Sequence, residues 1–214
     1  MLICKGAPRA PFVFISIFMA KKVFIFFGRS GSGKGTQAEL LIDYLKEKES
    51  DRKVIYIETG QEFREFIQRD NFTSNQVKKI LNDGGLLPGF LPIWIWTSAL
   101  VREYTGDNNI VFDGISRRAP EAPVVDGALD FYNFEERYIV YLNVSNEWSK
   151  KRMLGRGRYD DNEDDIANRL SWYEENVAPV VETFRKNDKY TFLDINGEQS
   201  IDDVHKAIIS AING

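Results

Sequence analysis

The chain has 214 residues, 43% of them hydrophobic and 13% aromatic, enough to bury the core of one large domain. Its formal net charge of -4 excludes a general attraction to nucleic acid or to an anionic membrane surface, so a polyanionic ligand has to be met by locally gathered cations. One cysteine, Cys4, and one histidine, His205, exclude a disulfide framework and a Cys/His zinc cluster.

At the N-terminus an apolar run from Pro11 to Met19 follows Lys5 and Arg9 in the manner of a faint signal peptide, but it is too short to span a membrane. Met19-Ala20-Lys21-Lys22 reads as a start leading straight into a strand. The true start, Met1 or Met19, is left open by the sequence, and residues 1–18 are expected to be an upstream extension without function. Strands are then predicted over 23–27, 53–57, 109–112, 138–142 and 190–193. Helices are predicted over 36–48, 61–69, 75–82, 91–104, 147–154, 166–185 and 200–211. Pro92 falls in the first turn of its helix, where a missing N–H is tolerated. Unbroken apolar strands alternating with helices predict an α/β fold of three layers, a five-stranded parallel sheet covered on both faces. No repeat, low-complexity tract or interdomain linker interrupts 19–214. Ligands of such sheets bind beyond the C-terminal ends of the strands.

The run Gly28-Arg29-Ser30-Gly31-Ser32-Gly33-Lys34-Gly35-Thr36 sits between the first strand and the first helix. Its glycines allow several backbone N–H groups to face one anion, and the helix N-terminus adds its positive dipole end. Strand, glycine loop, lysine, hydroxyl and helix together make a phosphate site. Gly31, Ser32, Gly33, Lys34, Gly35 and Thr36 are the expected ATP-binding residues, with Lys34 on the β- and γ-phosphates and Thr36 reaching Mg²⁺. At the end of the third strand, Asp113 suits Mg²⁺ or its water shell as a hard oxygen ligand, and Arg117 suits a bidentate grip on phosphate. His205, inside a helical pattern, suits packing or solvent better than acid–base chemistry.

The Gly-Lys-Gly-Thr-Gln form of the loop resembles nucleoside monophosphate kinases, the adenylate kinase family above all, and the resemblance runs in order from Lys22 to the C-terminus. Thr59-Gly60-Gln61-Glu62-Phe63-Arg64 is similar to the family segment in which the threonine lies against the acceptor base and the arginine grips the acceptor phosphate. Gly84-Gly85-Leu86-Leu87-Pro88 resembles a turn whose backbone, here at Leu87, touches that base. Asp113-Gly114-Ile115-Ser116-Arg117 resembles the family's Asp-Gly-Phe-Pro-Arg, with Ile115-Ser116 replacing Phe-Pro. Arg152 to Leu170 resembles a short lid. By matching positions, Arg152 packs on the donor adenine, Arg156 reaches the donor phosphates, and Arg158 and Arg169 converge on the transferring and accepting phosphates. Gln199 matches a turn that touches the donor adenine. No cysteine stands in the lid, so no structural zinc is expected.

The resemblance implies a P-loop kinase fold with an acceptor lobe at 58–88 and a lid at 152–165. It implies Mg²⁺-dependent, reversible transfer from ATP to AMP by a monomeric cytoplasmic enzyme, without nucleic acid or stable membrane association. Lys34, Arg117, Arg156, Arg158 and Arg169 would be catalytic. Thr59, Gly60, Arg64, Leu87, Gly114, Arg117, Glu121, Arg158 and Arg169 would hold the acceptor. Glu121 departs from the family's glutamine. An ionised carboxylate only accepts hydrogen bonds. Adenine presents a donor beside an acceptor, whereas guanine presents two adjacent donors, so GMP or another nucleoside monophosphate is the alternative acceptor. A P-loop kinase of a small non-nucleotide substrate and a non-catalytic nucleotide-binding module are the further alternatives.

Overall fold

The computed structural model describes residues 20–82, 87–156 and 162–214. The expected extension at 1–18 therefore lies outside the described residues. Five parallel strands form one sheet in the order β2-β3-β1-β4-β5. They are β1 (Lys22–Gly28), β2 (Val54–Glu58), β3 (Asn109–Asp113), β4 (Glu136–Asn143) and β5 (Thr191–Asn196). β1 is central, with Val23 paired to Ile110 of β3 and Arg137 of β4. The strand order reverses at β1, so a crevice opens at its C-terminal end.

The pleat of β1 divides the core. Val23, Ile25 and Phe27 face one side, where α4 (Phe90–Glu103), α5 (Ala122–Phe131) and α8 (Ala178–Arg185) cover them. Phe24 and Phe26 face the other side, under α1 (Lys34–Lys48) and α9 (Ile201–Asn213). On α1 the buried residues Ala38, Leu41, Ile42 and Leu45 recur at helical spacing, giving the apolar stripe that docks on the sheet. A smaller third core joins Phe66 of α2 (Thr59–Phe66), Val77 of α3 (Phe72–Asn82), and Leu91 and Ile95 of α4.

Two elements differ from the expected pattern. The single helix expected over 166–185 is divided into α7 (Glu163–Trp172), a π turn (Tyr173–Val177) and α8. Pro179 explains the break: it has no N–H to donate, and its ring clashes with the carbonyl four residues earlier. The second is α5, entered through a short 3-10 turn at Ala119–Glu121. Pro123, two valines and Gly127 conceal its helical character in the sequence, and burial of Val125 and Leu129 supplies what propensity does not. Between α4 and the π turn the remaining helix is α6 (Asn146–Arg156). Among the described residues no helix is long and apolar enough to cross a membrane.

Opposite the crevice, a buried polar knot ties the N-terminal ends of the strands. The Glu49 carboxylate accepts from Lys22 Nζ at 2.7 Å and from Asn109 Nδ2 at 2.9 Å, with Arg52 Nη1 at 3.5 Å. Burial alone would raise the Glu49 pKa, but these donors and cations outweigh it and hold the carboxyl below its ordinary 4.5. Glu49→Ala removes the carboxylate that Lys22, Asn109 and Arg52 share and is expected to cost about 3 kcal/mol in urea unfolding at neutral pH. A depressed folded pKa adds stability above the unfolded value and loses it as pH falls through the folded value. The gap between Glu49→Ala and the parent chain should therefore be constant near pH 7 and shrink below pH 4.5.

Candidate active site

The crevice at the end of β1 is a cleft of about 1530 Å³, larger than the ~300–1,000 Å³ of a single small-molecule site. Its floor is the turn from Gly28 to Thr36. Lys34, the first residue of α1, folds back to donate to the carbonyls of Gly28 at 2.9 Å and Arg29 at 3.1 Å. Burial pushes its ammonium below the usual lysine value; Asp113 opposes that, while Arg117 and Arg156 reinforce it. Asp113 ends β3 and is itself pushed upward by burial, against the pull of Lys34 and Arg117. A Cβ at Gly35 would lie 3.9 Å from Asp113 Oδ2, so glycine there keeps open the gap between helix start and carboxylate. Thr36 is exposed on the same cleft.

Gly114 follows Asp113 with φ +83°. Its carbonyl accepts from Arg117 Nε at 2.9 Å, which folds the guanidinium back over the turn. Glu121 is 2% exposed yet lines the cleft, and its Oε2 accepts from the Arg117 backbone N–H at 3.3 Å. Burial raises the Glu121 pKa, opposed by that N–H and by the charges of Arg117 and Arg118. On α2, Thr59 is a lining residue of the cleft, and its buried hydroxyl has no hydrogen-bond partner among the described residues. Arg64 also lines the cleft and donates to Glu58 at 3.0 Å, alongside Gly60. Arg152, Arg156 and Arg169 line the opposite wall, Arg152 lying 5.8 Å over the Trp148 ring.

The cleft thus brings together Lys34, Arg64, Arg117, Arg152, Arg156 and Arg169 on an acidic chain. Gly31, Gly33, Gly35, Thr36, Thr59, Gly60, Leu87, Asp113, Gly114 and Glu121 also line it. Two expected residues are not among those that line the cleft. Ser32 is buried within the loop, its hydroxyl unpartnered among the described residues. Gln199 is exposed on the turn after β5 and donates to Asn196 O at 2.9 Å. Arg158 lies outside the described residues.

Sequence reasoning passed over three neighbours of this site. Arg118 donates to the Leu87 carbonyl at 3.0 Å and lies 5.8 Å over the Trp172 ring, closing one wall. The doubled arginine at 117–118 was its only visible sign. Trp172 and Tyr173 line the cleft at the junction of α7 and the π turn, where the linear pattern reads as continuous helix.

A family model described as Adenylate kinase matches residues 26–189. The chain is similar to the adenylate kinase of Prochlorococcus marinus (strain MIT 9515), 33% identical over 178 residues that cover 83% of this chain and 92% of the relative. It is similar to that of Corynebacterium urealyticum, 30% identical over 189 residues, covering 88% and 98%. It is also similar to that of Leptospira biflexa, 32% identical over 195 residues, covering 89% and 100%.

The turn at Gly114 makes a direct prediction. A Cβ there would lie 2.5 Å from Arg117 Nη2, on a backbone that side chains rarely adopt. Gly114→Ala is expected to lose about 1–3 kcal/mol in urea unfolding. It should also weaken pyrophosphate binding by calorimetry, because Arg117 must leave its place. Unchanged values on both counts would remove this constraint from the site.

Proposed function

The chain belongs to the adenylate kinase family, a family of nucleoside monophosphate kinases, and we propose that it transfers the γ-phosphoryl group of Mg²⁺-ATP reversibly to AMP. The observation that carries this reading is one cleft, wide enough for two nucleotides, holding Lys34 on its floor and arginines on both walls. ATP would lie with its phosphates on Gly31 to Thr36, and the acceptor between α2 and the turn at Gly114. We assign 58–88 as the acceptor lobe and 152–165 as the lid, within one kinase domain. The same reading has the enzyme working as a monomer in the cytoplasm, where ATP and Mg²⁺ are available.

Phosphoryl transfer asks the protein chiefly for position and charge, since the attacking phosphate oxygen is already anionic. In this reading Arg64 and Arg117 hold the acceptor phosphate. Lys34, Arg156, Arg158 and Arg169 meet the charge that spreads over the transferring group. Arg152 stacks on the donor base, and the turn at Gln199 approaches it. The Asp113 carboxylate and Thr36 hydroxyl, with the open gap at Gly35, fit a hydrated Mg²⁺. Among the described residues no group of three or more His, Cys, Asp or Glu could hold a metal, in keeping with a cation bound mainly by phosphate and water. Bound there, Mg²⁺ would neutralise charge on the β- and γ-oxygens.

The buried, unpartnered Thr59 hydroxyl supports a base contact at the acceptor end. Glu121 favours a second reading. With its carboxyl neutral it offers one O–H and one carbonyl, matching adenine N1 and N6–H. Ionised, it offers two acceptors, matching guanine N1–H and N2–H₂.

Arg169→Ala and Lys34→Ala are each expected to lower turnover on the order of 10²–10³-fold with the melting temperature kept, read by coupled ADP formation. Normal rates in both would end the kinase assignment of this cleft. Because burial raises the Glu121 pKa, its neutral form is lost as pH rises. The ratio of AMP to GMP turnover should therefore fall with pH in the parent chain and stay flat in Glu121→Gln. A flat ratio in both would show that Glu121 does not read the base.

A further inference from the structure

Arg29 is the second residue of the phosphate loop, yet it does not line the cleft that its neighbours Gly28 and Ser30 line. Its guanidinium meets partners in two directions. Nη1 donates to the Val144 carbonyl at 2.7 Å, and Nε donates to Asn146 Oδ1 at 2.8 Å. Nη2 and Nε both donate to Glu174 Oε1, at 2.5 and 3.1 Å. The Tyr173 ring lies beneath, 4.9 Å from the guanidinium carbon.

These partners mark the two ends of one stretch of chain. Val144 and Asn146 stand at the start of α6, which carries Arg152 and Arg156. Tyr173 and Glu174 open the π turn directly after α7, which carries Arg169. One side chain of the phosphate loop therefore grips both ends of the segment that bears the cleft arginines. We propose that Arg29 is a positioning residue that ties the start of α6 and the end of α7 to the phosphate loop, so that Arg152, Arg156 and Arg169 are held in a set geometry about loop-bound ATP. This rests on the phosphoryl-transfer reading above.

Two physical points favour positioning over simple stability. The Arg29–Glu174 pair is partly exposed, with side-chain exposures of 16% and 44%, and such pairs add little to folding. The arrangement also uses the planar fork of arginine, with donors on separate edges meeting a carbonyl, an amide oxygen and a carboxylate. A lysine is a single point charge and reaches only one of those directions. A small misplacement of charge at a phosphoryl-transfer site is costly in rate although no contact with substrate is lost.

The test uses the full chain with Arg29→Ala, Arg29→Lys, Glu174→Gln and the Arg29→Ala/Glu174→Gln double variant. Melting temperature, kcat, and KM for ATP and for the acceptor are measured for each. Arg29→Ala should lower kcat by on the order of ten- to a hundred-fold and raise KM for ATP, with the acceptor KM within about two-fold. Arg29→Lys should recover only a minor part. Glu174→Gln should show a smaller loss of the same kind, and the double variant should be no worse than Arg29→Ala alone. The proposal is overturned if kcat and the ATP KM stay near parent values, if both KM values rise together with a fall in melting temperature, or if lysine restores full activity. Should Arg29→Ala not fold, Glu174→Gln decides alone, since parent-like kinetics there overturn the proposal. A parent chain that transfers no phosphoryl group to any nucleoside monophosphate would defeat the kinase reading itself, and this proposal with it.

Discussion

Everything in the cleft depends on how closely β1 approaches β4 where β1 ends. A Cβ at Gly28 would lie 2.7 Å from the Leu142 carbonyl and 2.8 Å from Ser32 Oγ, and the backbone there has φ +145°. Only glycine allows the chain to leave the sheet at this point and turn under itself. The turn lets α1 begin at Lys34, and Lys34 then braces the loop by donating to Gly28 and Arg29 carbonyls. Because β1 lies between β3 and β4, the same point lies between Asp113 at the end of one neighbour and Val144 just past the end of the other. Asp113, Lys34 and the start of α6 are neighbours for that reason alone.

The electrostatics of the cleft follow from putting like charges in one poorly hydrated place. Lys34 is pushed down by burial and by two arginines, while Asp113 is pushed up by burial. Both shifts mean that burial disfavours the charged form of each group. A polyphosphate with its cation supplies opposite charges to both groups at once. Carboxylates beside the arginines, such as Glu58 against Arg64, hold the side chains in place without cancelling the positive excess. An acidic chain can therefore bind a polyanion, because its cations are concentrated where the strand ends converge.

What was legible in the sequence was the local part. The glycine loop, the apolar strands and the helices between them each carry their signal within a dozen residues, and the sheet follows from them. The unreadable parts were set at longer range. The π turn depends on how Pro179 perturbs a helix packed against the sheet, and α5 on the burial of Val125 and Leu129. Arg118 reads as a second exposed arginine until the fold brings Leu87 and Trp172 to it from distant positions. Arg29 is similar, because its partners are more than a hundred residues away. Glu121 was legible as a departure from pattern, but its burial and its bond to the Arg117 amide come from the turn geometry.

The division of the hydrophobic core bears on how such a site excludes water. α4 belongs to two cores: Leu91 and Ile95 pack with α2 and α3, whereas Trp96, Ala99 and Leu100 pack against the sheet. A tilt of the small core about the N-terminal half of α4 would therefore leave the packing of the large one in place. Thr59 and Arg64 would travel with it, while Lys34, Asp113 and Arg117 stay anchored to β1 and β3. Such a movement would repack a few apolar side chains and leave the main core intact. In the proposed reaction, such a movement on binding the acceptor would help to keep water from the transferring group.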